Sequence, residues 1–123
     1  MKTDSMINKY DEQGRAHGPW EYYQENGQLW CKGGYKEGWQ HGTWEWYWLD
    51  GPLWRKGEFK NGLRHGSWAE YHDNGQPWYN CNYRHGIAHG QWVVYHKNGK
   101  LCKKGERKNK ILIGLWYEDK YED

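Results

Sequence analysis

The sequence predicts an all-β protein, an elongated single-layer antiparallel meander of about five 24-residue β-hairpin repeats. Three observations predict this fold. Glycine and, two positions later, tryptophan recur every 24 residues, and such a fixed period is the signature of a repeat architecture. Asn-Gly or Asp-Gly pairs recur at the same period and predict turns between short strands. Finally, 11 Trp and 11 Tyr accompany only seven Leu, four Ile and two Val, so aromatic rings must supply the cohesion.

The composition excludes the commoner alternatives. A mean hydropathy of -1.36 is typical of disordered chains, but such chains are poor in aromatic residues and this one is 19% aromatic. Thirteen branched aliphatic side chains are too few for a two-layer core, since an ordinary domain buries many more. A helical bundle and a doubly wound α/β fold are therefore excluded.

Each repeat divides into two strands and two turns. The Gly-x-Trp-x-x-Tyr segment is rich in β-forming residues and predicts the first strand. A turn follows in each unit, and we ascribe it to the tolerance of both turn residues for positive φ; the pairs are Asn26-Gly27, Asp50-Gly51, Asn74-Gly75 and Asn98-Gly99. The second strand is exemplified by Leu53 to Phe59, and Lys60-Asn61-Gly62 then turns the chain into the next unit.

The repeats define a single domain over residues 1–123. Its ladder glycines are Gly18, Gly42, Gly66, Gly90 and Gly114. The full units span 18–41, 42–65, 66–89 and 90–113, with partial units at 11–17 and 114–123. The Trp and Tyr of one strand lie three positions apart, which places them on opposite faces of a regular strand. With so few aliphatic residues, aromatic rows on both faces are the favoured arrangement.

Charge and cysteine content restrict the partners and the compartment. The net charge of +2 is too small to imply nucleic acid, so no specific nucleic-acid partner is expected. The three cysteines are an odd number without paired spacing, which argues against a disulfide scaffold. The first residues lack the apolar stretch of a signal peptide, and the longest aliphatic run is Ile111 to Ile113. We therefore expect a cytoplasmic protein.

The repeat pattern resembles the MORN repeat, and most closely the variant found in bacterial proteins of the YwqK-like antitoxin type. The segments Gly66 to Gly75 and Phe59 to Gly66 carry the resemblance best. It implies single-sheet hairpin arrays that bind proteins, sometimes lipids, and are not catalytic. Pro77 and Cys81 stand where other units have Leu and Gly, and Arg107 and Lys110 stand where Tyr and Gly are expected. These departures predict a locally reshaped face and an atypical last unit.

The residue patterns favour neither a metal site nor catalysis. Equivalent histidines lie one hairpin apart, about 10 Å, whereas zinc ligands lie at ~2.0–2.1 Å from the ion, so the column cannot converge; it comprises His17, His41, His65 and His89. Ser5 and Ser67 are the only serines, and no Cys-His-Asn arrangement or phosphate-binding glycine loop can be placed. We expect a non-enzyme without metal or cofactor.

Residues outside the repeat columns are the candidates for partner binding. Exposed Trp and Tyr provide large contact areas at low entropic cost and dominate binding hot spots. Arginines of the second strands and turns would accompany them on an aromatic and basic sheet face. The candidates are Tyr22, Trp39, Trp46, Trp48, Tyr79, Arg55, Arg64 and Arg84. The equally weighted alternative is that the aromatic members complete the ring rows of a thin sheet.

These features and the resemblance together predict a non-enzymatic protein-binding module, an antitoxin or immunity-type inhibitor that occludes a toxin or effector enzyme. The same physics would serve an inhibitor that a virus or mobile element encodes against a host defence enzyme. A second class is a module for anionic lipid or a choline-like ligand, because basic columns suit an anionic membrane surface and Trp/Tyr cages capture quaternary ammonium groups. A third is a structural scaffold assembled through unpaired terminal strands.

Overall fold

The computed structural model describes residues 6–109 and 111–118, without the side chains of Ile113, Trp116 and Tyr117. The predicted partial unit 114–123 is thus described only as far as residue 118. All strands lie in one open antiparallel sheet in nearly sequential order, with β8 beside β7 at the edge of the main path. The strands are β1 (Lys9–Tyr10), β2 (Ala16–Tyr23), β3 (Leu29–Lys36), β4 (Trp39–Tyr47), β5 (Leu53–Lys60), β6 (Leu63–Tyr71), β7 (Pro77–Arg84), β8 (Ile87–Ala88), β9 (Gly90–Tyr95), β10 (Leu101–Lys108) and β11 (Ile111–Glu118). The predicted all-β repeat meander is confirmed.

Two kinds of turn alternate along the chain, and they differ from the predicted assignment. The two-residue turn Asn61-Gly62 has positive φ at both residues, 51° and 84°, as a type I′ hairpin requires. At the predicted turn Asn26-Gly27 only the glycine has positive φ, 89°. There the Gly27 N–H donates to the Gln24 carbonyl at 2.9 Å, and the Asn26 side chain accepts from the Gln28 N–H at 2.9 Å. Asparagine therefore recurs in this column because its side chain caps the loop, and the explanation by positive φ at both residues was wrong.

Neighbouring hairpins meet at joints that contain a bulge. Between β5 and β6, the ladder passes from Lys56 opposite Ala69 to Glu58 opposite His65, so β6 has two more residues than β5 in this interval. Gly66 lies in this extra segment with φ 73°. Backbone bonds between hairpins tie the turn end, since Gly62 N–H donates to Gln40 O at 2.9 Å. The strand after the turn is thus bent yet remains paired.

The predicted aromatic rows lie on opposite faces of the sheet. Trp44 and Trp46 are two residues apart and their rings contact each other at 6.0 Å, so they share one face, here called the aromatic face. Tyr47 points the other way, because its hydroxyl donates to Glu45 at 2.8 Å. The second side is here called the polar face. The hydrophobic core lies on the aromatic face, where Trp44 is only 1% exposed.

Candidate functional site: the aromatic face and the turn ends

The aromatic face is built by tryptophan rings that lie flat over glycines of the preceding hairpin. A Cβ atom at Gly57 would come within 2.0 Å of the Trp68 ring, and one at Gly33 within 2.1 Å of the Trp44 ring. The indole N–H of Trp68 donates to the Glu58 carbonyl at 3.1 Å. The glycine column therefore provides space for rings, and this explains how one sheet buries them without a second layer.

A second ring column fills the gaps between these tryptophans. Phe59 stands edge-on to Trp68, with centroids 5.2 Å apart at 90°, and also contacts Trp44 at 6.2 Å. Tyr35 and Tyr83 occupy the same position in the neighbouring hairpins and contact Trp44 and Trp68. Edge-to-face packing of this kind is favourable beyond the buried area, by about 0.5–1.5 kcal/mol per pair. The rings form a continuous row across the hairpins.

Arg55 lies on this row between two tryptophans. Its guanidinium carbon is 4.6 Å from the centroid of the Trp46 ring and 4.4 Å from that of Trp54. A bulge places Trp54 beside it, because Arg55 pairs with Trp46 whereas Leu53 pairs with Tyr47. The buried Nε of Arg55 has no hydrogen-bond partner within the described chain. Two rings thus hold this cation by its planar faces.

Arg64 is held in a similar way on the next hairpin. Its guanidinium carbon lies 4.5 Å from the Trp68 ring centroid and 5.2 Å from that of Tyr83, and Nη1 donates to the Tyr83 hydroxyl at 2.9 Å. Burial and then the positive charge of Arg64 lower the pKa of Arg55. An arginine still remains protonated at neutral pH. The aromatic face therefore carries two adjacent cations, although Glu70 lies opposite Arg55 across the ladder.

No carboxylate within 4.0 Å neutralises either arginine among residues 6–109 and 111–118. The polar face differs in this respect. There Glu45 lies 3.8 Å from both Lys32 and Lys56, which makes a row of alternating charges. Burial and the hydrogen bond to Glu45 raise the pKa of Tyr47 to about 12. Lys32 and Lys56 thus share a carboxylate on the polar face, whereas Arg55 and Arg64 form no ion pair, and Glu70 acts on Arg55 only at longer range.

The polar face also contains a shallow depression of about 760 Å³. Small and amide side chains line it, among them Thr43, Ser67, Ala69, Asn80 and Gln91. Within the part of the chain that the structure describes, no three His, Cys, Asp or Glu side chains are placed to hold a metal ion. In this depression the Ser67 hydroxyl donates to the Asn82 side-chain oxygen at 3.2 Å.

The loop end of the sheet carries a further aromatic cluster. Trp48 contacts Trp54 at 5.5 Å and stacks on Trp78 at 6.4 Å, and His72 stacks on Trp78 at 5.2 Å. The Trp48 indole N–H donates to the Tyr71 carbonyl at 3.1 Å, which ties its loop to the next hairpin. These contacts join the loop between β4 and β5 to the β6–β7 hairpin.

The opposite, type I′ end of the sheet forms what we call the turn ridge. Each hairpin contributes one rung, in which a basic residue before the turn pairs across the ladder with an apolar residue after it. The rungs are Lys36 with Trp39, Lys60 with Leu63, Arg84 with Ile87, and Lys108 with Ile111. Tyr83 belongs to the aromatic face, so the adjacent Arg84 and the rest of the ridge lie toward the polar face.

The structure thus separates the predicted binding residues into three places. Five lie together on the aromatic face: Tyr22, Trp46, Arg55, Arg64 and Tyr79. Trp48 belongs to the loop-end cluster, and Trp39 and Arg84 belong to the turn ridge. Sequence reasoning missed Trp54, Trp68 and Tyr83, the rings that hold the arginines. All three recur at the 24-residue period, as scaffold residues do, and the bulge that places Trp54 beside Arg55 arises from strand pairing.

Tyr79 is less available to a partner than its neighbours on this face. It packs against the buried core, and burial raises its pKa, with a smaller contribution from Cys81. Tyr22 is similarly held, since its hydroxyl lies 2.9 Å from that of Tyr35. For these two residues the contacts favour the structural role. Arg55 and Arg64 are the members of the predicted set on this face that carry a charge without an ion pair.

Comparison with known proteins is consistent with this architecture. Four segments of the chain match the family described as the MORN repeat variant: residues 16–37, 40–61, 64–85 and 88–109. The segments that begin at residues 40, 64 and 88 start in the strand after a type I′ turn, and those that end at 37, 61 and 85 end in such a turn. No curated protein matches the chain in sequence. The described part of the chain contains no helix long and apolar enough to cross a membrane.

Proposed function

The chain belongs to the MORN repeat variant family, and on that basis we propose that it is a non-catalytic protein-binding module that inhibits a toxin or another effector enzyme by covering it. The aromatic face would be the surface that binds. An inhibitor encoded by a virus or mobile element against a host enzyme would use the same contacts. The proposed compartment is the cytoplasm.

The observation that carries this proposal is the pair of ring-bound arginines on the aromatic face that form no ion pair. Arg55 and Arg64 are each held over two rings, and neither has a carboxylate within ion-pair distance in the described chain. Trp, Tyr and Arg are the residues most enriched at binding hot spots. Because the rings fix the guanidinium planes before binding, a partner carboxylate would gain two-pronged hydrogen bonds at little entropic cost.

The same geometry disfavours a choline-like ligand. A quaternary ammonium group would need the open faces of several rings. The guanidinium of Arg55 already covers Trp46 and Trp54. A second cation placed there would also be repelled by Arg64. An acidic protein surface fits the aromatic face better than a cationic ligand does.

The test is affinity capture from the source organism at physiological salt, followed by an activity assay of the captured enzyme with purified protein. Wild type should retain a protein partner and inhibit it at equal stoichiometry. The double variant Arg55→Gln/Arg64→Gln should weaken binding by at least about 30-fold, because even one hot-spot arginine contributes at least about 2 kcal/mol. The matched control, Lys32→Gln/Lys56→Gln, removes two charges from the polar face and should bind like wild type.

Circular dichroism should show unchanged β structure in both variants, so that a binding loss reports on the site. Capture of no protein partner by wild type would contradict the proposal. A captured enzyme that remains fully active in the complex would contradict the inhibitor role while leaving the binding role in place.

A further inference from the structure

The turn ridge is a second surface with a regular chemical pattern. Three of its four apolar residues are at least half exposed: Trp39 at 61%, Leu63 at 50% and Ile111 at 67%. The fourth, Ile87, is 37% exposed. The four basic partners are also exposed: Lys36, Lys60, Arg84 and Lys108. Isolated exposed apolar residues are ordinary, but four in one row, each beside a cation, form a contiguous feature.

The apolar side chains of the ridge pack against the protein on one side only. The Trp39 ring packs over the next turn, where a Cβ at Gly62 would come within 2.5 Å of it, and Leu63 packs over Gly86 in the same way. The backbone N–H of Gly62 and that of Gly86 bond the preceding hairpin at 2.9 Å. The ridge is therefore fixed in position, and its outer surface is left open.

The charges of the ridge are not compensated as those of the central polar face are. Among residues 6–109 and 111–118, none of the four basic side chains has a carboxylate within 4.0 Å, whereas Lys32 and Lys56 share Glu45. Glu37 is the one acidic residue in the described turns of the ridge. A ligand for this surface must therefore be both apolar and acidic.

The spacing of the rungs restricts the shape of that ligand. Two strands advance the sheet by about 9.6 Å, which is the distance between neighbouring rungs. An α-helix rises 1.5 Å per residue, so seven residues advance it by about 10.5 Å. A helix lying across the hairpin ends would thus present the same heptad position to each successive rung. An extended strand would instead seek unpaired backbone groups, and those lie at the sheet edges.

We propose that the turn ridge binds an acidic amphipathic α-helix of a partner protein, which presents one apolar and one acidic residue per heptad to each of two or three neighbouring rungs. The ridge lies toward the polar face, whereas the side chains of Arg55 and Arg64 lie on the aromatic face, so the inference goes beyond the proposed inhibitor function. It makes the sheet a two-sided adaptor.

The test uses a synthetic helical peptide of four heptads, each with one leucine and one glutamate in adjacent turns on the same face and alanine or glutamine elsewhere. The comparison peptide has the same composition with the leucines and the glutamates each moved to a spacing of five residues, which distributes them around the helix. Fluorescence anisotropy should show that the intact protein binds the heptad peptide at least about tenfold more tightly. Equal affinity for the two peptides would overturn the proposal.

Variants locate the binding surface. Lys60→Glu/Arg84→Glu should lower affinity for the heptad peptide by at least about tenfold, because each charge then faces a glutamate. The control Lys97→Glu/Lys100→Glu makes the same change in net charge at the β9–β10 loop, on the opposite end of the sheet, and should alter affinity less than about threefold. A similar loss in the control would overturn the proposal, since attraction would then follow net charge alone.

Membrane binding is the competing outcome. Vesicles of phosphatidylcholine with and without phosphatidylserine should not float the protein when the heptad peptide binds specifically. Flotation with phosphatidylserine that Lys60→Glu/Arg84→Glu abolishes, together with no preference between peptides, would assign the ridge to a lipid surface instead. Arg55→Gln/Arg64→Gln should leave peptide affinity unchanged, so failure of this inference is separable from failure of the proposed function.

Discussion

Two equivalent joints of the sheet use different residues to seat a tryptophan. At the Gly57 joint, between β5 and β6, the Trp68 ring lies flat over Gly57 and its N–H donates to the Glu58 carbonyl. At the Cys81 joint, between β7 and the β8–β9 pair, the repeat replaces that glycine with Cys81. There the buried Nε1 of Trp92 has no hydrogen-bond partner in the described chain.

The two joints also differ in the continuity of their strands. At the Gly57 joint one strand, β6, runs unbroken from Leu63 to Tyr71. At the Cys81 joint the corresponding segment is divided at His89 into β8 and β9. The predicted local reshaping at Pro77 and Cys81 is thus located beside the thiol. The comparison indicates that the glycine column serves the tryptophan ring, and that a side chain in this column weakens the joint without abolishing it.

The largest effect is expected when the cysteine of the Cys81 joint is introduced at the Gly57 joint. Gly57→Cys should lower the free energy of unfolding by about 3 kcal/mol, because its Cβ would meet the Trp68 ring carbons rather than a flexible chain end. Urea denaturation followed by circular dichroism measures the change. The control Lys56→Cys adds the same thiol at the exposed neighbouring position and should cost about 0.5 kcal/mol or less. Equal costs would break the comparison.

The indole hydrogen bond gives the second test. Trp68→Phe removes a bond and leaves the Glu58 carbonyl without its indole donor, whereas Trp92→Phe removes an N–H that is buried without a partner. Both lose packing, but Trp68→Phe should cost about 2 kcal/mol more. Paired urea titrations of the two variants measure this difference. A larger loss at Trp92 would show that the two rings are seated alike.

Thiol reactivity should sharpen the contrast. Cys31 and Cys81 are both buried, so each reacts only when its region opens. In a Cys102→Ser background, iodoacetamide at pH 8 should modify Cys81 about tenfold faster than Cys31, because the Cys81 joint opens more readily. Mass spectrometry of peptides over time gives both rates in one sample. Faster modification of Cys31 would reverse the proposed order of joint stability.

The pH dependence of Cys31 supplies an internal check on that experiment. Burial raises the pKa of its thiol from 9.0 to about 11, so folding favours the neutral form. This contribution to stability is complete below pH 9 and is lost as the pH rises toward 11. The melting temperature of wild type should therefore fall over that interval more steeply than that of Cys31→Ala.

The smallest effect concerns the loop that reinforces the Cys81 joint. Asn74 caps its own loop through the Gln76 N–H, and its Nδ2 also donates to the Lys97 carbonyl of the next hairpin at 3.0 Å. Asn26 makes only the first kind of bond among the side-chain bonds of the described residues. Asn74→Ala should thus cost about 0.5–1 kcal/mol more than Asn26→Ala in thermal unfolding. Equal costs would remove this loop from the description of the joint.

The sequence predicts the fold well because the fold depends on residues that recur every 24 positions. Gly33 and Gly57 recur with the tryptophans that cover them, so periodicity alone reveals the hairpins. The candidate site was harder to predict. The bulge that turns Trp54 beside Arg55 arises from pairing between strands. Arg64 pairs with Phe59 on the aromatic face, whereas Arg84 follows Tyr83 and therefore lies toward the other face. The two arginines occupy different columns, but the columns do not show which face each takes.

For the loops, the sequence predicted the positions correctly but gave the wrong reason for their residues. The loop at Asn26-Gly27 was located from the dipeptide, yet only Gly27 adopts positive φ. The true two-residue turns include Glu37-Gly38 and His85-Gly86, whose first residues carry no strong turn signal. The position of the glycine within the hairpin and the contacts between hairpins determine these turns, and a dipeptide does not contain that information.

The unbroken row of rings has an optical consequence. Trp44, Trp46 and Trp68 follow one another with centroids 6.0 and 5.6 Å apart, close enough for their electronic transitions to couple and for excitation to pass among them. The intact array should therefore give an exciton signal in circular dichroism that no isolated indole produces. Opening any one joint would interrupt energy transfer along the row. The exciton signal therefore reports which neighbouring hairpins are in contact.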